Sequence, residues 1–234
     1  MKSLIGAGLL SATLLVATPA LARDIQVDIT NLTPGIYFTP LLVAAHNRHT
    51  HLFEVGTEAS AELQALAEGG DSSGLTDILD SVDGVYKDNP ADGLLAPGES
   101  TTARLKVRGH SNSRLSIAAM LLPTNDGFVG LDALSIPRRH GSYTYYLEGY
   151  DAGTEANDEI INGGGKPGVP GIPADPGGNG GSGGLGAAGP AENDHIHIHP
   201  SSLGDTDPLG GISDLDSRIH RWLNPVARIV IHVK

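Results

Sequence analysis

The chain of 234 residues contains no cysteine, so it can build no disulfide framework, thiolate zinc site, iron–sulfur cluster or cysteine nucleophile. Basic residues are few: 15 Lys and Arg stand against 27 Asp and Glu, a formal charge of −12. That balance lacks the positive footprint that phosphate-backbone binding needs, and nucleic acid is excluded as an expected partner. Aromatic residues make up only 4% and tryptophan occurs once, at Trp222, which leaves little for stacking on sugar rings. Long apolar runs are also lacking. The one near the start, Leu4 to Val16, is short for a bilayer span, follows Lys2 and precedes the small-residue site Ala20-Leu21-Ala22. Residues 1–22 therefore read as a signal peptide and the mature chain as residues 23–234, with no transmembrane segment after cleavage. Loss of Lys2 leaves 14 basic residues against 27 acidic ones, a charge of −13, on a periplasmic, secreted or cell-surface product.

Glycine and proline, in contrast, are abundant, at 32 and 15 residues, without a Gly-X-Y period. They concentrate between Asn162 and Pro190, where 13 Gly and 5 Pro fall within 29 residues. With almost no large apolar side chain to bury, this stretch reads as a flexible, partly polyproline-like insertion within one domain.

Elsewhere the hydrophobic period is mostly two. Ile25, Val27 and Ile29 alternate with polar residues and end at Thr33-Pro34-Gly35. An apolar run follows from Ile36 to Ala45, and Leu52 to Val55 reads as a short extended piece. Thr101 to Val107, Arg114 to Leu122, Tyr143 to Tyr150 and Val226 to Val233 are further strands, and the two terminal strands are expected to pair. Two short helices fit the chain, one capped by Thr57 and stopped by Gly69-Gly70, the other over Leu75 to Val82. Short strands between Gly, Pro and Asn turns predict an all-β antiparallel sandwich with a short helical insertion.

Two groups of residues could carry chemistry. Asp126 lies in Thr124-Asn125-Asp126-Gly127-Phe128-Val129-Gly130-Leu131-Asp132, and Asp151 opens Asp151-Ala152-Gly153-Thr154-Glu155-Ala156-Asn157-Asp158-Glu159. Read as turns rich in oxygen donors, these suit calcium, which wants six to eight hard ligands on flexible loops. Equally, Asp and Asn occupy turns for their own backbone bonding, with solvated charges. His195-Ile196-His197-Ile198-His199 has a period of two that puts three imidazoles on one face and two isoleucines on the other. Such a face can meet copper or zinc, with His46, His49 or His51 as a further ligand, or be the polar side of a sheet edge. His110, His140, His220 and His232 are scattered singly. Gly-x-Ser-x-Gly occurs at residues 70–74 and 180–184, but neither follows a strand; Ser-x-x-Lys and His-Glu-x-x-His do not occur, so catalysis is not the expected role.

Several segments together resemble the spondin domain, the amino-terminal domain of F-spondin and mindin, found also in exported bacterial proteins. They are Val27-Asp28-Ile29-Thr30-Asn31-Leu32-Thr33, Phe53-Glu54-Val55-Gly56, Met120-Leu121 through Asn125 to Asp132, Tyr150-Asp151-Ala152-Gly153-Thr154-Glu155, and Asn224-Pro225-Val226-Ala227-Arg228-Ile229. The resemblance implies a C2-like β-sandwich with calcium at one end, held by residues that fall on Asp126, Asp151 and Glu155. Glu155 departs from the Asp of the animal domains by one methylene and can still chelate. Animal relatives act in matrix adhesion, so the resemblance implies recognition of an extracellular protein or surface glycan. The alternative is a periplasmic copper or zinc carrier, or a metal-dependent enzyme with an open coordination position, using His195, His197 and His199 with His46.

Overall fold

The computed structural model describes residues 22–108, 111–178, 180–187 and 194–234. The expected leader, apart from Ala22, lies outside the described residues, as do His110, Asn179 and residues 188–190 of the Gly/Pro stretch. In chain order the elements are β1 (Ala22–Asn31), β2 (Tyr37–Phe38), β3 (Leu42–His46), α1 (Ala61–Gly69), α2 (Ser73–Ser81), β4 (Val85–Asp88), β5 (Ser100–Arg108), β6 (Arg114–Leu122), β7 (Gly127–Ser135), β8 (Gly141–Asp151), β9 (His197–Ile198) and β10 (Ala227–Val233). The named strands all pair antiparallel, in the order β4-β3-β6-β7-β8-β10-β1-β5, with β2 added on β6 and β9 on β8.

One strand turns this continuous sheet into two layers. The first part of β8, Gly141 to Leu147, pairs with β10, and its last part, Glu148 to Asp151, pairs with β7. The two ends of the sheet, β4 and β5, then pack together, and Thr101 Oγ1 donates to the Pro90 carbonyl at 2.7 Å across the join. The expected pairing of the terminal strands is present: β1 and β10 run antiparallel from Ile25↔Val233 to Asn31↔Ala227.

Between the layers lies the main core. β1 contributes Ile25, Val27 and Ile29; β6 contributes Leu115, Ile117, Ala119 and Leu121; β10 contributes Ile229 and Ile231. A second core forms on the outer face of the β3-β6-β7 layer, where Leu42, Ala44, Ala118 and Phe128 meet Leu63 and Leu66 of α1 and Leu75 and Leu79 of α2. Covered on both faces, β6 reads as an unbroken apolar run from Leu115 to Leu122, apart from Ser116. The helices exist to cover that face.

Local signals needed three corrections. The cap of α1 is Ser60, whose Oγ accepts from the Leu63 N–H at 3.2 Å, while Thr57 donates to the Glu54 carbonyl in the preceding turn. Gly70 ends the helix at φ 72°, a left-handed conformation that glycine adopts without cost. Leu52 to Val55 is not a strand: Leu52 and Phe53 leave the sheet to bury their side chains, Phe53 edge-on to Phe128 at 5.0 Å between centroids. Gly127 to Asp132, read as a turn, is the first part of β7. Gly130 lacks a side chain there because a Cβ would sit 2.6 Å from the Phe53 ring.

The Gly/Pro stretch follows a path set by carboxylates. Glu68 Oε2 accepts the Gly168 N–H at 2.7 Å. Asp214 Oδ1 takes the N–H groups of Ser182, Gly183 and Gly184 at 2.9, 2.9 and 2.8 Å. Ile161 and Ile172 form a bridge between its two sides. Composition showed that this segment buries little; it did not show that distant acids organise its backbone.

Ile229 on β10 is fully buried in the main core. Ile229→Ala should cost about 2–5 kcal/mol in urea unfolding with an unchanged m value, whereas Tyr146→Ala, on the exposed face of β8, should stay within about 0.5 kcal/mol.

Candidate functional site

The register of one hairpin creates the acidic site. Gly127 opens β7 opposite Asp151, the last residue of β8, so Asp126 and Asp151 arrive side by side at one end of the sandwich. Thr124 shapes the preceding turn, donating to the Leu121 carbonyl at 2.6 Å and accepting the Gly127 N–H at 3.0 Å. Asn125 then reaches across to the 154–159 loop. Its Nδ2 donates to Asp158 Oδ1 at 2.9 Å and to Glu155 Oε2 at 3.3 Å, and its Oδ1 accepts the Glu159 N–H at 3.2 Å.

Asp126 is fully buried. Its Oδ2 accepts the N–H groups of Thr154 at 2.7 Å and Glu155 at 3.1 Å, while Oδ1 is buried with no hydrogen-bond donor among the described residues. Glu155 is similar: Oε2 accepts the Gly171 N–H at 3.1 Å, and buried Oε1 meets no donor among the described residues. Asp151 is fully engaged, Oδ1 accepting the Gly153 N–H at 2.8 Å and Oδ2 the Asn157 amide at 2.6 Å. Burial, and then the neighbouring Asp151 charge, push the Asp126 carboxyl up to about 7 against its backbone donors; burial pushes Glu155 up to about 7 as well. Desolvation favours the neutral acids, and a cation would reverse that preference.

Histidines enter the same end from the other side. His197 Nδ1 donates to the His195 carbonyl at 2.9 Å and lies 3.9 Å from Asp151 Oδ1. His199 is buried; its Nδ1 accepts the Ser201 N–H at 2.9 Å, so the neutral ring carries its proton on Nε2, which finds no acceptor. Burial pushes this imidazole down to about 4, although the Asp151 charge pulls the other way. The ring packs on Trp222 at 5.1 Å, and Trp222 in turn lies over Gly149, where a Cβ would come within 2.6 Å of the indole.

The expected three-imidazole face is not formed. β9 is only two residues long, with Ile196 buried under the helices and Ile198 half exposed, so the alternation does not hold over the whole pentapeptide. His195 is half-buried, beside Asp194. His46 is buried at the far end of the sheet, opposite Arg114 in register, with Nε2 2.7 Å from Ser116 Oγ. At about 3.3 Å per residue, the nine residues of β6 put it roughly 26 Å from the acidic end. His49 and His51 lie at that far end too, beside Arg48 and Asp132.

Among the described residues no three His, Asp or Glu side chains converge closely enough to hold a metal ion by themselves. Calcium does not require this, since backbone carbonyls and water complete many of its shells. The donor chemistry fits that ion: two buried carboxylate oxygens without a donor, on adjacent loops rich in carbonyl groups. Asp126 and Glu155 are the residues that fit; Asp151 contributes chiefly its charge. Asn125 and Glu159 were not singled out in the sequence. Glu159 is buried and accepts from Leu203 N, Gly204 N and Ser213 Oγ, tying the late loops to the site. The close run Asn157-Asp158-Glu159 was the available signal.

A family model for the spondin N-terminal domain, Spondin_N, matches residues 29–159, more than half of the chain. The chain belongs to the spondin N-terminal domain family. No curated protein matches it. The spondin match includes Asp126, Asp151 and Glu155 and stops before β9 and β10. The acidic half of the site is therefore within the spondin-matched interval, while the histidines lie in the part of the chain that follows.

The titrations set opposite slopes on stability. Asp126 and Glu155 titrate near 7 when folded, against ordinary values of 3.8 and 4.5, so their contribution is full at low pH and is lost as the pH rises through about 7. His199 titrates near 4 against 6.5, so its contribution is full above 6.5 and lost as the pH falls towards 4. Asp126→Asn removes part of the first slope alone. In chelator, the melting temperature of Asp126→Asn relative to the parent should climb steadily between pH 4.5 and pH 7.5 in scanning calorimetry. A difference that does not vary with pH would contradict the buried, donor-free oxygen.

Proposed function

We propose that this spondin domain is an exported recognition module that takes calcium at its acidic end and presents that end to an extracellular protein or surface glycan. The observation that carries this reading is the pair of buried carboxylate oxygens, on Asp126 and Glu155, that face no donor. Calcium there would supply the missing positive charge. The chain's own residues do the rest: Asn125 clamps the 154–159 loop to the β6–β7 turn, Asp126 Oδ2 holds the backbone of Thr154 and Glu155, and Glu155 ties in Gly171. Three loops become one surface, pre-ordered before a partner arrives, which lowers the ordering cost of association. The family is one of extracellular-type domains, and no helix among the described residues is long and apolar enough to cross a membrane. The role proposed is binding.

A second reading rests on His197 and His199, which flank Asp151 on the same end. Imidazoles favour copper or zinc over calcium. Melting the mature chain, residues 23–234, after chelation and then with each metal separates the two. Calcium at a hundred times its dissociation constant adds about 2.7 kcal/mol, which for a domain of this size raises the melting temperature by about 5–10 °C. That shift should vanish in Asp126→Asn and survive His197→Ala. A shift seen only with zinc or copper, and lost in His197→Ala, would transfer the site to the histidines.

A further inference from the structure

The opposite end of the sandwich carries the other sign of charge. The chain has ten arginines, and four of them, Arg23, Arg48, Arg114 and Arg138, line one cavity of about 570 Å³ together with His49 and Asn47. Among the described residues no acidic side chain lines it. In a protein with nearly twice as many acids as bases, chance placement would not leave four guanidinium groups there without a counter-ion. Among the described residues the one arginine paired with a carboxylate is Arg218, with Asp216, on the far loops.

The geometry makes this a built site. Arg23 Nη1 donates to the carbonyls of Pro137 and Arg138 at 3.1 Å each, which fixes the loop bearing Arg138 while leaving the Arg23 charge uncompensated. Arg114 begins β6, so a rigid strand sets its backbone, while Arg48 lies in the exposed turn that follows β3. Arg48 Nε donates to His49 Nε2 at 3.0 Å, and among the described residues Arg114 and Arg138 make no side-chain hydrogen bond or ion pair. The nearby carboxylate, Asp132, is already occupied: it accepts from Leu52 N at 2.8 Å and pairs with His51 Nδ1 at 2.5 Å. Like charges brought together without neutralisation are destabilising, and an anion between them removes the penalty.

We propose that this basic end is a second binding site, for a ligand that carries tetrahedral oxyanions, a phosphate or sulfate ester on a sugar unit. Guanidinium groups present paired N–H donors whose spacing matches two oxygens of such a group. The cavity has the volume of a small-ligand site and exceeds that of a single phosphate. An extended polyanion laid along the molecule would meet the acidic surface elsewhere, so the favoured ligand enters end-on. The acidic end, roughly 26 Å away along β6, is beyond the Debye length of about 8 Å at physiological salt and does not cancel this local potential. The site is independent of calcium.

Isothermal titration of the metal-free mature chain with inorganic tripolyphosphate, and separately with glucosamine 6-sulfate, tests this. Tripolyphosphate should bind, more weakly at 150 mM than at 20 mM salt, and the double variant Arg114→Gln/Arg138→Gln should weaken it at least tenfold. Arg48→Gln should weaken it several-fold, which keeps the test open if the double variant misfolds. Arg104→Gln/Arg228→Gln, on strands away from the cavity, should leave it within twofold. Binding of both probes indicates general oxyanion recognition, and binding of tripolyphosphate alone indicates phosphate. Absence of binding by either probe at low salt, or equal loss in the Arg104/Arg228 variant, overturns the proposal.

Discussion

The fold depends on β10. It is hydrogen-bonded on both sides, through seven residue pairs to β1 and seven to β8, and without it the sheet would break into two open pieces. Each piece would expose a row of unpaired N–H and C=O groups and half of the main core, since Ile229 and Ile231 fill the space between layers. The last residues of the chain therefore close a structure whose first strand was made some two hundred residues earlier. That closure also draws in the 195–224 segment. Gly149 of β8 receives the His199 N–H and the Asn224 side chain and lies under Trp222, so the late loops dock against the strand that ends at Asp151.

The regular elements were legible where one physical signal acted alone. Ile25, Val27 and Ile29 alternate because one face of β1 is buried and the other is solvated, and Val226 to Val233 reads the same way for the same reason. β7 was not legible, because Gly127, Gly130 and Asp132 carry the composition of a turn for other causes. Gly130 makes room for Phe53, and the Asp132 carboxylate accepts the Leu52 N–H and pairs with His51. Thr57 and Ser60 are both acceptable caps by type, and only the tertiary position of α1 chooses between them. The path of the Gly/Pro segment was not legible for a related reason: its bonding partners, Glu68 and Asp214, are far away in sequence.

Of the acidic site, Asp126, Asp151 and Glu155 were legible through resemblance to the family, and the structure places them around one pair of loops. Their unequal status was not legible. Asp151 spends both oxygens on local donors, while Asp126 and Glu155 each keep one oxygen without a donor, a difference set by the backbone of residues 153–157 and 171. The histidine pentapeptide shows the limit of a period-two argument. A strand of two residues cannot impose alternation on five, and the burial of Ile196 against the helix layer decides the orientation instead.

Asp126 and Arg114 sit at opposite ends of the same β6–β7 hairpin. A body so polarised has a preferred attitude in any external field. Near a negatively charged surface it would turn its arginines inward and hold its acidic loops away, about one strand length out. The same two strands that form the core would then serve as a post, and its orientation would follow from charge placement.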